Sequence, residues 1–235
     1  MEQPVYTIEN NVFGTENVLK SCLAYGCKLL LASTSEIYGK SKVFPQCEVH
    51  DMILGQTKKN RWSYAASKII DEFLTLAYYE EYGLQATILR LFNTIGPKQI
   101  GHYGMVVPTF MFQALKGEPI TVFGDGTQTR CFCNVYDTVD AIYLLSHNSN
   151  TGGQIYNIGS QEEISIIELA KKVKTISKSR SEIIFVPFSD VYKSGFEDME
   201  RRVPDTNKIY KMLGWETKIS LNQTLVQVKN WIENK

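Results

Sequence analysis

Lys28-Leu-Leu-Leu-Ala-Ser-Thr34 runs directly into Ser35-Glu-Ile-Tyr-Gly39. The first half is a short, unbroken apolar run of the kind that forms a strand buried in a parallel sheet. The second half places hydroxyls and a carboxylate at that strand's carboxyl end, where open parallel sheets bind ligands. Thr34 is suited to hydrogen-bond a hydroxyl or a ketone, and Glu36 to act as acid or base. Taken alone, the same residues also suit an ordinary polar turn.

The flanks carry the pattern outward. Upstream, Ile8, Val12, Val18, Leu19 and Leu23 predict a helix over 7–26. Downstream, a polar turn region reaches residue 60. Tyr64-Ala-Ala-Ser-Lys68 then opens a second helix, with Ile69, Ile70, Phe73, Leu74 and Ala77 at the helical period and Gly83 as its stop. A second apolar strand follows, Ala86-Thr-Ile-Leu-Arg-Leu91. Helices alternating with buried strands predict an α/β parallel sheet.

Beyond Asn93 the pattern loosens. Gly96-Pro97 and Gly101-His102-Tyr103-Gly104 mark a long loop. The periodicity predicts helices over 106–116, from about 136 to Leu145, over Ile164 to Val173, near 205–213 and near 220–233. It predicts strands over Pro119 to Phe123, Phe132 to Val135, Gln154 to Ile158 and Ile183 to Val186, with a polar segment over 189–204. No internal repeat or low-complexity tract occurs.

Tyr64 and Lys68 stand one helical turn apart, so they are neighbours on one face. A phenol with a pKa of about 10 is a poor base at neutral pH. A nearby ammonium favours the phenolate and lowers that value. The pair is then able to take a proton from a hydroxyl while a hydride leaves the same carbon.

Composition narrows the classes. The chain has 235 residues and zero formal net charge, which gives no reason to expect nucleic acid or an anionic membrane as partner. No apolar run approaches the ~18 residues of a membrane span. Met1-Glu2-Gln3-Pro4 resembles no signal peptide, so cytoplasm is the expected compartment. Cys22, Cys27, Cys47, Cys131 and Cys133 are odd in number and spaced for neither a zinc site nor a disulfide framework. His50, His102 and His147 fall in polar or loop-like stretches, and no metal site is expected.

The order S-T-S-E-I-Y-G, Y-x-x-x-K, L-F-N-T-I-G-P resembles the extended short-chain dehydrogenase/reductase family, and within it the NAD-dependent nucleotide-sugar epimerases, dehydratases and decarboxylases. Further matches are Asn11-Val12-Phe13-Gly14-Thr15, Gly117-Glu118-Pro119 through Gly124-Asp125-Gly126, Gln128-Thr129-Arg130, Tyr156-Asn157-Ile158-Gly159 and Arg202-Val203-Pro204-Asp205. The resemblance covers essentially the whole chain. It implies the C-terminal part of a Rossmann-type parallel sheet plus a smaller α/β substrate-binding lobe. Residues 1–95 would form a partial NAD-binding domain, with 132–158 returning to it. Residues 96–235 would be mainly the nucleotide-sugar lobe.

The resemblance also implies roles. Tyr64 matches the base that takes the C4 hydroxyl proton, and Lys68 the residue that lowers its pKa and bonds the nicotinamide ribose. Thr34 matches the hydroxyl at the C4 oxygen. Asn11 and Ser33 join Tyr64 and Lys68 at the cofactor. Asn93, Arg130 and Arg202 match residues that hold the substrate diphosphate, and Phe123 an aromatic against the nucleotide base. Ser35 and Glu36 match the decarboxylase pattern. Glu36 also matches the dehydratase pattern, although dehydratases usually carry Asp where Ser35 stands. Arg61-Trp62 resembles uronate decarboxylases, whereas Tyr103-Gly-Met-Val-Val-Pro108 resembles UDP-glucose 4-epimerases. A UDP-sugar epimerase (an isomerase) or decarboxylase (a lyase) is therefore expected, acting through a 4-keto intermediate. A 4,6-dehydratase and a non-catalytic remnant that binds a nucleotide sugar are the alternatives.

One family element is missing. No G-x-G-x-x-G or related glycine-rich turn follows any strand. At roughly 30 residues per βαβ unit, about 90 residues of the family fold lie outside this chain. An N-terminal half supplied by another chain is one expectation. A homodimer through the helix before Ser33 and the Tyr64 helix, with Tyr78, Tyr79 and Tyr82 contributing, is another.

Overall fold

A computed structural model describes residues 3–101, 105–191 and 199–234. The loop at His102-Tyr103-Gly104 and residues 192–198 of the polar segment lie outside the described residues. The first half of the chain runs α1 (Pro4–Tyr25), β1 (Leu29–Thr34), a 3-10 turn (Ser35–Tyr38), α2 (Arg61–Tyr82), β2 (Ala86–Leu91) and β3 (Thr94–Ile95). Then come α3 (Val106–Lys116), β4 (Ile120–Phe123), β5 (Thr129–Cys131), β6 (Cys133–Asn134), α4 (Val135–His147) and β7 (Gln154–Ile158). The last part is β8 (Glu163–Ser165), α5 (Ile166–Ile176), β9 (Ile183–Val186), α6 (Phe188–Val191), α7 (Asn207–Leu213) and α8 (Leu221–Glu233).

The main sheet is parallel, in the order β1-β2-β7. Its two faces are covered by different helices. On one face Leu19 and Cys22 of α1 and Leu74 and Tyr78 of α2 pack with Leu29, Leu84 and Ala86. On the other, Ala141 and Leu145 of α4 and Ile209 of α7 pack with Leu89, Tyr156 and Ile158. Helices α1 and α2 both stop at a left-handed glycine, Gly26 and Gly83, the residue that adopts positive φ without a Cβ clash. A second core gathers α3, α5 and α8 around β4, with Met111, Ile120, Val122, Leu169, Val173 and Leu225 fully buried or nearly so.

Several sequence expectations are corrected. β1 is not buried throughout: Ala32 is exposed and Leu29 and Leu30 are only half-buried. The reason is its place in the sheet, since among the described residues β1 is paired with β2 on one side only. The strand expected over 132–135 is shorter and does not join the main sheet. Cys133 and Asn134 pair with Thr94 and Ile95 in a separate ladder, and the Asn134 side chain then caps α4. The helix expected from Ile164 starts at Ile166. Glu163 to Ser165 instead pair antiparallel with β5, and Ser165 serves as the helix N-cap. Tyr78 packs inward, and Tyr79 lies where a Cβ on Gly153 would stand. Of the three tyrosines expected on a dimer face, only Tyr82 is exposed.

A buried polar network ties the sheet to the loop above it. Arg90 of β2 and Glu72 of α2 are 3% exposed each as residues and meet at 2.8 Å. Arg90 also donates to the Tyr38 hydroxyl and to the Glu48 backbone carbonyl, each at 3.0 Å. The Tyr38 hydroxyl donates to Asn157 Oδ1 at 2.7 Å. Asn157 takes up the rest: its backbone N–H donates to the Glu48 carboxylate, and its side-chain amide to the carbonyls of Gln46 and Asp205. Removing one partner of such a buried pair leaves an uncompensated charge. Glu72→Ala is therefore expected to cost about 3–5 kcal/mol in urea unfolding of the chain. A loss under about 1 kcal/mol would mean that Arg90 is satisfied without its carboxylate.

Candidate active site

The site is built at the carboxyl end of β1 and the first turn of α2. Thr34 ends the strand in extended geometry and caps the 3-10 turn, its Oγ1 accepting the Glu36 backbone N–H at 3.2 Å. The Thr34 side chain also acts on the Tyr64 phenol, favouring its ionised form. Tyr64 stands on α2, whose first turn faces that strand end. Ser35, buried at the start of the turn, precedes Glu36.

The Glu36 carboxylate is held by two guanidinium groups. Arg202 Nη2 donates to its Oε1 at 3.1 Å, and Arg61 Nη2 lies 3.6 Å from the same oxygen. The two guanidinium groups and the carboxylate form one charged cluster near Thr34 and Tyr64. Arg61 entered the sequence reading only as part of a resemblance, not as a site residue. Its position three residues before Tyr64 on a helix was the available signal, because i and i+3 share a face. The resemblance placed Arg202 at a diphosphate; the structure places its guanidinium on Glu36.

Lys68 departs from expectation. Its ammonium forms an ion pair with Asp71 at 2.7 Å, and both side chains are buried or nearly so. Burial pushes the Tyr64 phenol above its ordinary value. The Thr34 side chain pulls it down, while the charges of Glu36 and Asp71 push it further up. Burial, and the charge of Asp71 beside Lys68, oppose the phenolate here.

The other expected residues are engaged as follows. Ser33 donates its hydroxyl to Glu72 and so belongs to the buried network. Asn11 of α1 donates to the Ser67 hydroxyl at 2.9 Å, which in turn donates to the Tyr64 carbonyl. Asn93 donates to the Cys131 carbonyl at 3.3 Å and accepts the Cys133 backbone N–H at 2.9 Å. Arg130 donates to the carbonyls of Thr129 and Glu200, fastening β5 to the segment that carries Arg202. Phe123 ends β4 and is half-buried. Burial raises the thiols of Cys131 and Cys133, to about 12 and about 11, so both are poor nucleophiles. Among the described residues no group of three or more His, Cys, Asp or Glu is arranged to hold a metal ion.

The residues present fit one end of a nicotinamide dinucleotide. Tyr64 and Lys68 offer a phenol and an ammonium at the carboxyl end of a parallel strand, the place where such sheets bind ligands. A pyrophosphate needs a glycine-rich turn at a helix N-terminus. Among the described residues no such turn follows a strand of the main sheet: β1 leads into Ser35-Glu36-Ile37-Tyr38, and α2 opens on Asn60-Arg61-Trp62.

Known proteins agree with this geometry. The family model described as GDP-mannose 4,6 dehydratase matches residues 1–228. The UDP-N-acetyl-alpha-D-glucosaminuronate decarboxylase of Bacillus cytotoxicus is 42% identical over 238 residues, which is 100% of this chain and 73% of the relative. UDP-glucuronic acid decarboxylases of animals and plants are longer, and the chain spans 48% to 62% of the length of those it matches. Among solved structures, the UDP-glucose 4-epimerase of Thermotoga maritima with UDP-glucose superposes with a TM-score of 0.88 at 28% identity, covering 99% of this chain and 72% of that one. The UDP-glucuronic acid 4-epimerase of Bacillus cereus, solved with UDP-glucuronic acid and NAD, gives 0.85 at 26% identity over 97% of this chain and 68% of that one. With its strand-end Thr34, its Tyr64 and Lys68 on one helix and a family match over nearly its whole length, the chain belongs to the GDP-mannose 4,6-dehydratase family of NAD-dependent nucleotide-sugar epimerases, dehydratases and decarboxylases.

Proposed function

We propose that this chain carries the substrate-handling part of a UDP-uronate decarboxylase. The observation that supports this most is Glu36 between Arg61 and Arg202, beside Thr34 and Tyr64. Oxidation at C4 followed by return of the hydride needs no further charge. Two guanidinium forks next to the C4 pair suit a sugar that carries a carboxylate at C6. The 42% identical relative is named as a decarboxylase of such a sugar.

In this reading Thr34 and Tyr64 hold the C4 oxygen, and Tyr64 takes its proton. Bound NAD supplies the hydride acceptor and later the donor. Lys68 would hold the nicotinamide ribose, with Asn11 positioning Tyr64's helix through Ser67. A 4-keto uronate is a β-keto acid, so breaking the C5–C6 bond releases carbon dioxide and moves the electron pair into the C4 carbonyl. Thr34 and Tyr64 then stabilise the enolate oxygen. Arg61 and Arg202 orient the departing carboxylate by fork-like hydrogen bonds. Glu36 takes up part of their charge, so the carboxylate is oriented without being locked, and Ser35-Glu36 is placed to return a proton to C5. Asn93, Arg130 and Phe123 would line the UDP end.

Residues 1–95 with 132–158 would serve the cofactor and 96–235 mainly the substrate. A UDP-sugar 4-epimerase is the second reading, favoured by the likeness to the Thermotoga maritima enzyme. We place the protein in the cytoplasm, where its five free cysteines suit the redox environment. No described helix is long and apolar enough to cross a membrane. A homodimer would use exposed Phe13 of α1 with Ile70 and Phe73 of α2, in place of the inward-facing Tyr78 and Tyr79.

Four outcomes are expected. With NAD and the part of the Bacillus cytotoxicus relative that lies outside the match added, UDP-glucuronate releases carbon dioxide; conversion of UDP-glucose to UDP-galactose without such release would move the assignment to epimerase. Tyr64→Phe lowers that rate at least about 100-fold, and an unchanged rate would remove Tyr64 from the chemistry. Carbon-13 NMR of the tyrosine rings places the Tyr64 titration above the ordinary phenol value. Asp71→Asn moves it to lower pH, since a negative charge that disfavours the phenolate is lost and Lys68 is released. A shift to higher pH would contradict the electrostatics of the pair.

A further inference from the structure

We propose that Cys22 and Cys27, at the end of α1, are a modification site: a small disulfide oxidises them to an intramolecular disulfide that locks the joint between α1 and β1. This rests on the helix end and not on the decarboxylase reading. α1 stops in a Schellman motif with both of its hydrogen bonds made. Cys27 donates its N–H to the Cys22 carbonyl at 2.9 Å, and Gly26 donates its N–H to the Leu23 carbonyl at 3.4 Å. In that motif the residues joined by the outer bond commonly turn their side chains against each other. Here both are cysteines. The carbonyl end of Cys22 and the N–Cα bond of Cys27 flank the 2.9 Å contact, so the two Cα atoms stand no more than about 7 Å apart. A disulfide closes within that separation without backbone movement.

The side chains favour the same bridge. The Cys27 sulfur is turned back over the helix end, donating to the Tyr25 carbonyl at 3.8 Å. The Cys22 thiol is pushed up by burial first and then by the charge of Cys27, so the two sulfurs act on one another. Exposure sets the order of reaction. Cys27 is exposed, and Cys22 is half-buried against Leu19, Leu84 and Ala86. The Cys27 thiolate attacks one sulfur of the oxidant and releases the first thiolate. The Cys22 thiolate then attacks the Cys27 sulfur of that mixed disulfide and releases the second. Two protein thiols lose two electrons and two protons, and the oxidant takes up both and leaves as two thiols. Cys131 and Cys133 do not compete, because both are buried and their thiols are raised to about 12 and about 11. The bridge ends one residue before Lys28. The Lys28 ammonium donates to the Leu145 and Asn148 carbonyls at 2.6 Å each and to the Thr151 hydroxyl at 3.0 Å. Closure therefore fastens the last turn of α1 to the residue that ties the start of β1 to the end of α4. In a reducing compartment such a bond is transient, the usual form of a redox-sensing disulfide there.

The test treats the reduced full chain with glutathione disulfide, alkylates the remaining thiols and digests with trypsin. Cleavage after Lys20 and Lys28 leaves both cysteines on one peptide, Ser21–Lys28. That peptide is expected unalkylated and lighter by two hydrogen atoms, and dithiothreitol is expected to restore it. Amide exchange at Gly26 and Cys27 is expected to slow at least about tenfold on closure. Cys22→Ser is expected to trap Cys27 as a mixed disulfide with glutathione, and Cys27→Ser to leave Cys22 reduced. A Cβ on Gly26 would meet nothing within 4 Å, but its φ of 63° disfavours alanine. Gly26→Ala is therefore expected to lower the ratio of intramolecular to mixed disulfide at least about fivefold. Gly26→Asn is expected to restore it, since asparagine tolerates that conformation. The proposal is overturned if Cys27 stays joined to glutathione beside a reduced Cys22, if Cys27 does not react, or if it cross-links to a second copy. It is equally overturned if closure leaves the Gly26 and Cys27 amides unchanged, or if Gly26→Ala closes as readily as the parent chain.

Discussion

The ion pair between Arg90 and Glu72 is the constraint on which the rest of the site depends. Both groups are almost completely removed from water, and two desolvated charges hold together only when their remaining hydrogen-bonding capacity is met. Here that capacity is met by groups from distinct parts of the chain: Ser33 at the end of β1, Tyr38 in the 3-10 turn, and the Glu48 carbonyl in the loop before α2. Asn157 of β7 closes the network through Tyr38, Glu48 and Gln46. An apolar core would have packed the sheet equally well. It would not have held the polar loop over residues 40–60 at one height above the strands.

That height sets the chemistry. The loop and the turn together fix where Thr34 and Glu36 stand, and α2, pinned through Glu72, fixes Tyr64 one face further along the same helix. The consequence is a phenol held in a partly desolvated place, with its pKa pushed up and not down. A base of this kind gains driving force for proton transfer and loses population of the ionised form at neutral pH. The counterweight is the cationic pair Arg61 and Arg202, one guanidinium from the start of α2 and one from the segment beyond the described gap.

Much of this was legible in the chain. The apolar run at Leu29 and the run at Ala86 announced parallel strands, and the 3.6-residue spacing after Tyr64 announced the helix that joins them, because periodicity is a local property. Ser165 and Asn134 were not foreseen as caps, and of the short β3–β6 and β5–β8 ladders only β6 was foreseen, as part of a strand over 132–135. Two- and three-residue strands bury too few side chains to leave a pattern. Among the site residues, Thr34, Tyr64 and Glu36 were legible from their order along the chain. Arg61 was not, since a guanidinium before a helix reads equally well as a solvated charge.

The sequence by itself determined which residues form strands and helices, where α1 and α2 stop, and that a phenol and an ammonium share one helical face. It did so because hydrophobic period and glycine conformation act over a few neighbouring residues. Only the tertiary structure decided what those groups face. It turned Lys68 toward Asp71, Ser33 toward Glu72 and Arg202 toward Glu36, and it set β2 between β1 and β7. Each of these outcomes depends on desolvation and on partners distant in the chain, and such terms have no counterpart in local spacing.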